Sequence, residues 1–311
     1  MPSPTLPAHV LRLRFDDAVQ ENVILAPYTS ARIGGVADIL VTVNSADELA
    51  DAMRIIWEQE TPYFILGGGS NILVSDKGAR GVVVLNHAKE TIFESGDQPT
   101  VWCESGVILS NLANRCASKG LSGLEWAATI PGTVGGAVFG NAGAFDGDMS
   151  QNLIWAEVLT QDGHKKLSVE EMGYGYRTSI LRTAPCGKNG NENAIILSAA
   201  LRLKNSSKEE ASARIESFSE RRKSAQPPGA SMGSMFKNPT GDYAGRLIEA
   251  AGLKGTRIGA AEISLVHANF FVNHGETKAA DVYALICLAQ KTVKEKFGVE
   301  LELEVELAGN W

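Results

Sequence analysis

The spacing of apolar residues divides the chain into short elements of two kinds. Over residues 33–43 a turn runs into ADILVTV, an apolar, β-branched run that predicts a strand. In the following SADELADAMRIIWEQE, Leu49, Met53 and Ile56 recur at helical spacing. Ser45, with Glu48 three residues on, offers a capping box for that helix. YFILG is a short buried strand, three glycines follow at 67–69, and 71–76 continues the β pattern. GVVVLN (81–86) is a further buried strand. The first part is thus β-α-β in character, with a glycine turn after its second strand.

Beyond residue 100, TVWCESGV predicts a strand and LSNLANRCASKG a helix ending at Gly120. The stretch 124–149 fits neither period and reads as a buried irregular loop lining a cavity. Residues 153–170 predict a hairpin turning at Asp162-Gly163, and 192–204 a strand. A charged helix, KEEASARIESFSERRKSAQ, stops before Pro227-Pro228, and a glycine-containing loop then carries SMGSMFKNP. Residues 242–251 predict a helix capped by Gly252, and HANFFVN predicts a strand. The last helix, over 277–298, sets Val282, Leu285, Ile286, Ala289, Val293 and Phe297 on one face. VELELEVEL predicts a terminal alternating strand with Glu302, Glu304 and Glu306 on the same side. The shift to charged and then proline-rich composition at 205–225 marks a domain boundary.

With 311 residues, 44% of them hydrophobic, the chain can bury a sizeable core in more than one domain. The net charge of −7 and the lack of a basic stretch argue against a nucleic-acid partner. The start, MPSPTLPAHVLRLRF, lacks the apolar core of a signal peptide, and no run is long enough for a membrane span, so a cytoplasmic protein is expected. Cys103, Cys116, Cys186 and Cys287 are scattered, without metal spacing, and are expected to be thiols; the five histidines have no metal-like neighbours. No metal site is expected.

Glycine is the unusual component. The 32 glycines cluster at 67–69, at 132–147, at 229–259 and around Gly34 and Gly35. GGGSN after a strand offers a nest of N–H donors for phosphate oxygens, yet it is neither GxGxxG nor a P-loop. IPGTVGGAVFGNAGAFDG would let a flat ring lie against main chain. Together they suggest a cofactor with a pyrophosphate and a planar ring. FAD fits both needs; NAD fits too, but without its usual signature.

In order along most of the chain stand RIGGVAD, ILGGGSNILVSD, GLEWAATIPGTVGGAVFGNAGAFDG, YGYRTSILR, GSMFKNP, AGRLIEAAGLKGTRIGAAEISLVHANFFVN and LELEVELAG. This series closely resembles the UDP-N-acetylenolpyruvoylglucosamine reductases, the MurB family of bacterial cell-wall synthesis. The resemblance implies an α+β architecture: a two-domain FAD-binding fold of the PCMH (vanillyl-alcohol-oxidase) type plus a C-terminal α/β substrate-binding domain. The implied bounds are 1–86 with 299–311 returning, 87–205, and 206–298. It further implies that NADPH reduces FAD and that hydride then passes to the enolpyruvyl group of the UDP-sugar substrate.

Carried over motif by motif, the resemblance assigns Arg177 to the substrate carboxylate, Ser234 to proton donation and Glu304 to assisting enolate stabilisation or protonation. An arginine there answers the negative charge that builds on the carboxylate. A serine is a weak acid and serves only toward a strongly basic carbon in a dry site. Glu302 stays open as an alternative to Glu304, because Leu303 stands where the family commonly has proline. Tyr176, Lys237 and Asn238 are implied to meet substrate or orient the serine. For FAD, Gly67, Gly68, Gly69, Ser70 and Asn71 would hold the pyrophosphate, with Ile33, Gly34 and Gly35 in the first motif. Thr129, Pro131, Gly132, Gly135, Gly136 and Asn141 would line the ring and ribityl chain. No histidine stands in these FAD motifs, so noncovalent FAD is expected.

The short connection after Arg177 resembles the shorter form of the family, which lacks the closing lid; contacts to UDP do not carry over. No obligate protein partner is evident, and the expected partner is a small-molecule substrate. Two rivals are a flavin oxidase of the same fold, marked by oxygen reactivity, and a non-catalytic flavoprotein, marked by flavin that substrate fails to reoxidise.

Overall fold

The structure is a computed structural model and describes residues 7–183 and 194–311. Cys186 lies outside the described residues. The chain divides into two compact units. The first holds Val41–Gly67 and Val84–Arg221 with the chain up to Val19; the second holds Gln20–Leu40, Gly68–Val83 and Arg222–Trp311. The chain therefore passes between units within the glycine turn itself.

The first unit is built on a five-stranded antiparallel sheet in the order Gly163–Ser168, Leu153–Thr160, Ile195–Arg202, Thr100–Glu104, Thr91–Glu94. Its core joins the sheet residues Val101, Cys103, Ala156, Val158 and Leu201 to Leu109, Leu112 and Cys116 of the helix Leu109–Ser118. Burial pushes the Cys103 thiol up, and the Cys116 thiol up to about 12, so both behave as apolar filling. In helix Ala46–Glu58, Ser45 Oγ accepts from Glu48 N–H, and the Glu48 carboxylate accepts from Asn44 N–H at 2.7 Å. Leu49, Met53 and Ile56 are fully buried, as their spacing predicts.

In the second unit a four-stranded antiparallel sheet runs Ala230–Ser234, Phe270–Asn273, Ala261–Ile263, Arg257–Ile258. Helices Ala244–Ala250 and Ala279–Phe297 pack on it through Leu247, Ile248, Val282, Leu285, Ile286 and Val293. Asp76 accepts from Ala279 N–H and Ala280 N–H at 2.8 and 2.9 Å, satisfying two of the orphan donors at the start of the long helix. A separate parallel pair joins Ile72–Val74 to Glu306–Ala308.

Several sequence expectations are corrected. The stretch after residue 123 is not all loop: Val134–Gly140 is a helix, with Thr133 as its N-cap. Its glycines mask the apolar positions Val134, Ala137 and Val138, which do follow helical spacing. SMGSMFKNP opens as strand Ala230–Ser234, because it completes an edge of the sheet. The hairpin turns one residue early: Thr160 pairs with Gly163, so Gln161 and Asp162 form the loop. The terminal run is not one strand. Leu303 bridges Phe236, while only Glu306–Ala308 forms a strand, so the three glutamates do not share a strand face. YFILG is half-buried before Leu66, and Phe297 at the helix end is exposed.

Candidate active site

Within the first unit the two glycine-rich stretches meet. A Cβ at Gly67 would lie 2.6 Å from Thr133 Oγ1, so Gly67 abuts the N-terminus of helix Val134–Gly140. Packing also accounts for Gly135, whose Cβ would sit 2.9 Å from Ser105 Cβ and whose N–H donates to Ser105 O. Gly132 has φ +107, a conformation that disfavours any side chain. Gly136 differs: it is exposed, and its Cβ would stand 3.8 Å from the nearest atom, Thr133 Oγ1. The fold does not require a glycine at that position, and bare backbone there leaves a surface that a side chain would fill. Thr129 is half-buried and Pro131 exposed on the approach to it. These features fit a planar ring lying against main chain.

The Arg177 turn is fixed to the same segment. Gly175 and Thr178 exchange two main-chain hydrogen bonds, at 3.2 and 3.3 Å, which close a tight turn over Tyr176 and Arg177. Arg177 has φ +56, a left-handed conformation that costs a non-glycine residue about 1–2 kcal/mol. Side chains anchor it. Tyr174 Oη donates to Val138 O at 2.8 Å, Ser179 Oγ to Phe139 O at 2.6 Å, and Asn141 Nδ2 to Gly175 O at 3.0 Å. Arg182 Nη1 donates to Arg177 O at 3.0 Å, and Arg177 Nη2 donates to Gly143 O at 2.8 Å. Each such bond contributes about 1 kcal/mol, so together they offset the strain. Burial pushes the Tyr174 phenol up, keeping it a protonated donor. Tyr176 is exposed, with the Arg177 guanidinium carbon 5.6 Å from its ring centre.

Asn141 also has a structural duty. Its Nδ2 is on Gly175 O and its Oδ1 accepts from Ser150 N–H, so its amide braces three segments of main chain. Its φ of +47 ends the helix in the left-handed conformation that asparagine tolerates.

In the second unit, Ser234 ends the edge strand after Gly233, φ +76, where the register shifts between Ser231 and Ser234. Such a bulge re-aims the side chains beyond it. Buried Asn269 then fixes the next two residues. Met235 N–H donates to Asn269 O, Phe236 N–H donates to Asn269 Oδ1, and Asn269 Nδ2 donates to Phe236 O at 2.8 Å. On the other side the chain is laced to the terminal segment. Glu304 N–H donates to Met235 O at 3.0 Å and Lys237 N–H to Glu302 O at 2.9 Å, with Leu303 bridging Phe236 between them. Lys237 Nζ lies 2.5 Å from the Glu302 carboxylate. Asn238 Oδ1 accepts from Ala244 N–H, at the start of helix Ala244–Ala250.

Of the remaining expected cofactor residues in this unit, Ile33, Gly34, Gly35 and Gly69 have structural duties. Ile33 is a core residue whose N–H and C=O both bond the Thr29 hydroxyl. A Cβ at Gly35 would lie 2.4 Å from Asp76 O, and one at Gly34 3.2 Å from Leu25 and Val74. Gly69, φ +58, would place a Cβ 2.1 Å from Tyr28 O. Ser70 is half-buried and Asn71 exposed. Sequence reasoning passed over Tyr174, Ser179 and Asn269. Asn269 had one signal: a lone amide inside the apolar run HANFF, which a folded core must pair.

A glycine cradle beside a helix N-terminus fits a flavoprotein. An FAD binding domain matches residues 37–166, and the fold is the PCMH-type FAD-binding fold with an added C-terminal domain. The protein is therefore an FAD-dependent oxidoreductase. The C-terminal domain of UDP-N-acetylenolpyruvoylglucosamine reductase matches residues 224–308. The UDP-N-acetylenolpyruvoylglucosamine reductase of Clostridium novyi is 43% identical over 94% of this chain and 93% of its own length. That of Bacillus subtilis is 42% identical over 94% of each. The crystal structure of the Thermus caldophilus enzyme, MurB, superposes with a TM-score of 0.77 at 39% identity, covering 92% of this chain and 97% of that one. The chain belongs to the UDP-N-acetylenolpyruvoylglucosamine reductase (MurB) family of peptidoglycan synthesis. Among the described residues no helix is long and apolar enough to cross a membrane.

Proposed function

We propose that this chain reduces the enolpyruvyl group of UDP-N-acetylglucosamine enolpyruvate to give UDP-N-acetylmuramate, using NADPH and noncovalently held FAD. Hydride transfer from the nicotinamide to the enolpyruvyl C3 is the chemistry that bound FAD supplies. Gly67, Gly68, Gly69 and Ser70 would hold its pyrophosphate; Gly132, Gly135 and Gly136 would border its ring. The sequence-based division at 1–86 with 299–311, 87–205 and 206–298 is our proposal for how these duties are shared.

Arg177 binds the substrate carboxylate and stabilises the negative charge that reaches it from C2. The turn's anchors keep the guanidinium in place before substrate arrives, which is what preorganisation requires. Ser234 Oγ–H gives its proton to C2, completing the lactyl ether. Glu304 assists that protonation. The Glu302 carboxylate, already on Lys237, is the poorer candidate. Lys237 and Asn238 orient the serine strand through Glu302 and helix Ala244–Ala250.

The observation that carries this reading is the lacing of 235–237 to 302–304 within one unit, in a chain of this family. The test is product formation in D2O with wild type and Ser234→Ala. Wild type should give lactyl ether with deuterium at C2. Ser234→Ala should still have its flavin bleached by NADPH while product formation falls about 10²–10⁴-fold. Equal product from both proteins would remove Ser234 from the role.

A further inference from the structure

The glycine turn and Glu304, proposed to assist the protonation, are joined by one side chain. Asn71, last residue of GGGSN, places its Nδ2 3.0 Å from the carbonyl oxygen of Glu304, 233 residues away. Asn71 O in turn accepts from Glu306 N–H at 3.0 Å, and the chain continues into the parallel pair of Ile72–Val74 with Glu306–Ala308. On its other face, Glu304 N–H is fixed to Met235 O, beside Ser234. The main chain of Glu304 is therefore pinned at both of its polar groups, once by the serine strand and once by Asn71.

This arrangement gives the Asn71 side chain a duty other than holding the cofactor. Nδ2 carries both donor hydrogens of that side chain, and one of them is committed to Glu304 O. A phosphate nest uses main-chain N–H groups, which substitution at position 71 retains. Residues 301–305 lie outside any regular strand. We infer that the Asn71 side chain is a positioning group for Glu304 rather than a ligand of the cofactor. The inference rests on the proposed role of Glu304 and adds what holds that residue in register.

Asn71 is exposed, so Asn71→Ala should fold, and the variant separates the two roles. The measurements are FAD per chain on purification, the rate of flavin reduction by NADPH, and the rate of its reoxidation by UDP-N-acetylglucosamine enolpyruvate without oxygen. Glu304→Gln and the double variant are measured alongside. Asn71→Ala should keep FAD content and reduction rate at the wild-type level while reoxidation slows about ten- to hundredfold. The double variant should be no slower than Glu304→Gln alone, because both changes act through one residue. Colourless Asn71→Ala would restore a cofactor role and overturn the inference. Wild-type reoxidation in Asn71→Ala, or slowing that multiplies with that of Glu304→Gln, would overturn it as well. If Glu304→Gln alone reoxidises at the wild-type rate, the assignment of Glu304 fails first, and the inference falls with it.

Discussion

The Arg177 turn and the Ser234–Lys237 run solve the same problem by different means. The turn has a left-handed residue at its centre and no ladder to join, so five side chains hold it by reaching main-chain carbonyls. The serine run lies between a sheet edge and the terminal segment, so main-chain pairing and one buried amide hold it. A turn pinned by side chains can present an arginine against strain, but each anchor is a local weak point. A strand pinned by main chain leaves the Ser234 side chain out of the lacing, and so available for chemistry. Its weak point is concentrated in Asn269.

The comparison breaks most sharply at Arg177 itself. Arg177→Lys keeps the charge but loses the planar fork. Product formation should fall about 10²–10³-fold, with thermal stability lowered by only about 1 kcal/mol for the lost bond to Gly143. Steady-state assay and a melting curve on the same preparation check both. Unchanged turnover would show that the strained turn serves the fold alone.

Asn269→Ala should reverse that balance. It strands Phe236 N–H and C=O without partners in a buried site, at about 1–3 kcal/mol for each group. A fall in melting temperature of roughly 4–15 °C is expected. A smaller fall would mean that the lacing to 302–304 holds the serine run unaided.

The smallest effect concerns pH. His267 Nδ1 accepts from Asn269 N–H at 3.2 Å, and burial, with the charge of Lys254, pushes its pKa below the ordinary 6.5. The unfolded chain therefore takes up this proton first. The contribution of neutral His267 to stability is full above pH 6.5 and is lost as pH falls through the lower folded value. His267→Gln should be flatter than wild type in melting temperature between pH 7 and pH 5. Parallel curves would separate His267 from the acid sensitivity.

Much of this architecture is legible in the sequence. Helix Ala46–Glu58, with its Ser45 cap and its buried Leu49, Met53 and Ile56, follows from capping chemistry and period alone. Helix Val134–Gly140 was hidden because three of its seven residues are glycine, which thins the apolar stripe. The terminal strand was over-read: alternation of Leu and Glu predicts a strand, but the partners available, Phe236 and Ile72–Val74, take it in two separate pieces. The glycines taught most. Their clustering suggested a ligand, yet Gly35, Gly67, Gly69 and Gly135 are bare because the protein's own atoms lie under 3 Å from where a Cβ would go. Only the fold could separate these from Gly136, since close approach by residues distant in sequence leaves no mark on local sequence.

The central claim is that substrate, through the residues around Ser234 and Glu304, draws reducing equivalents from the bound flavin. The most direct test is anaerobic stopped-flow near the yellow flavin band. NADPH should bleach the purified protein, and UDP-N-acetylglucosamine enolpyruvate should then return the colour within the turnover time. Flavin that stays bleached until air is admitted would contradict the account and point to an oxidase or a non-catalytic flavoprotein.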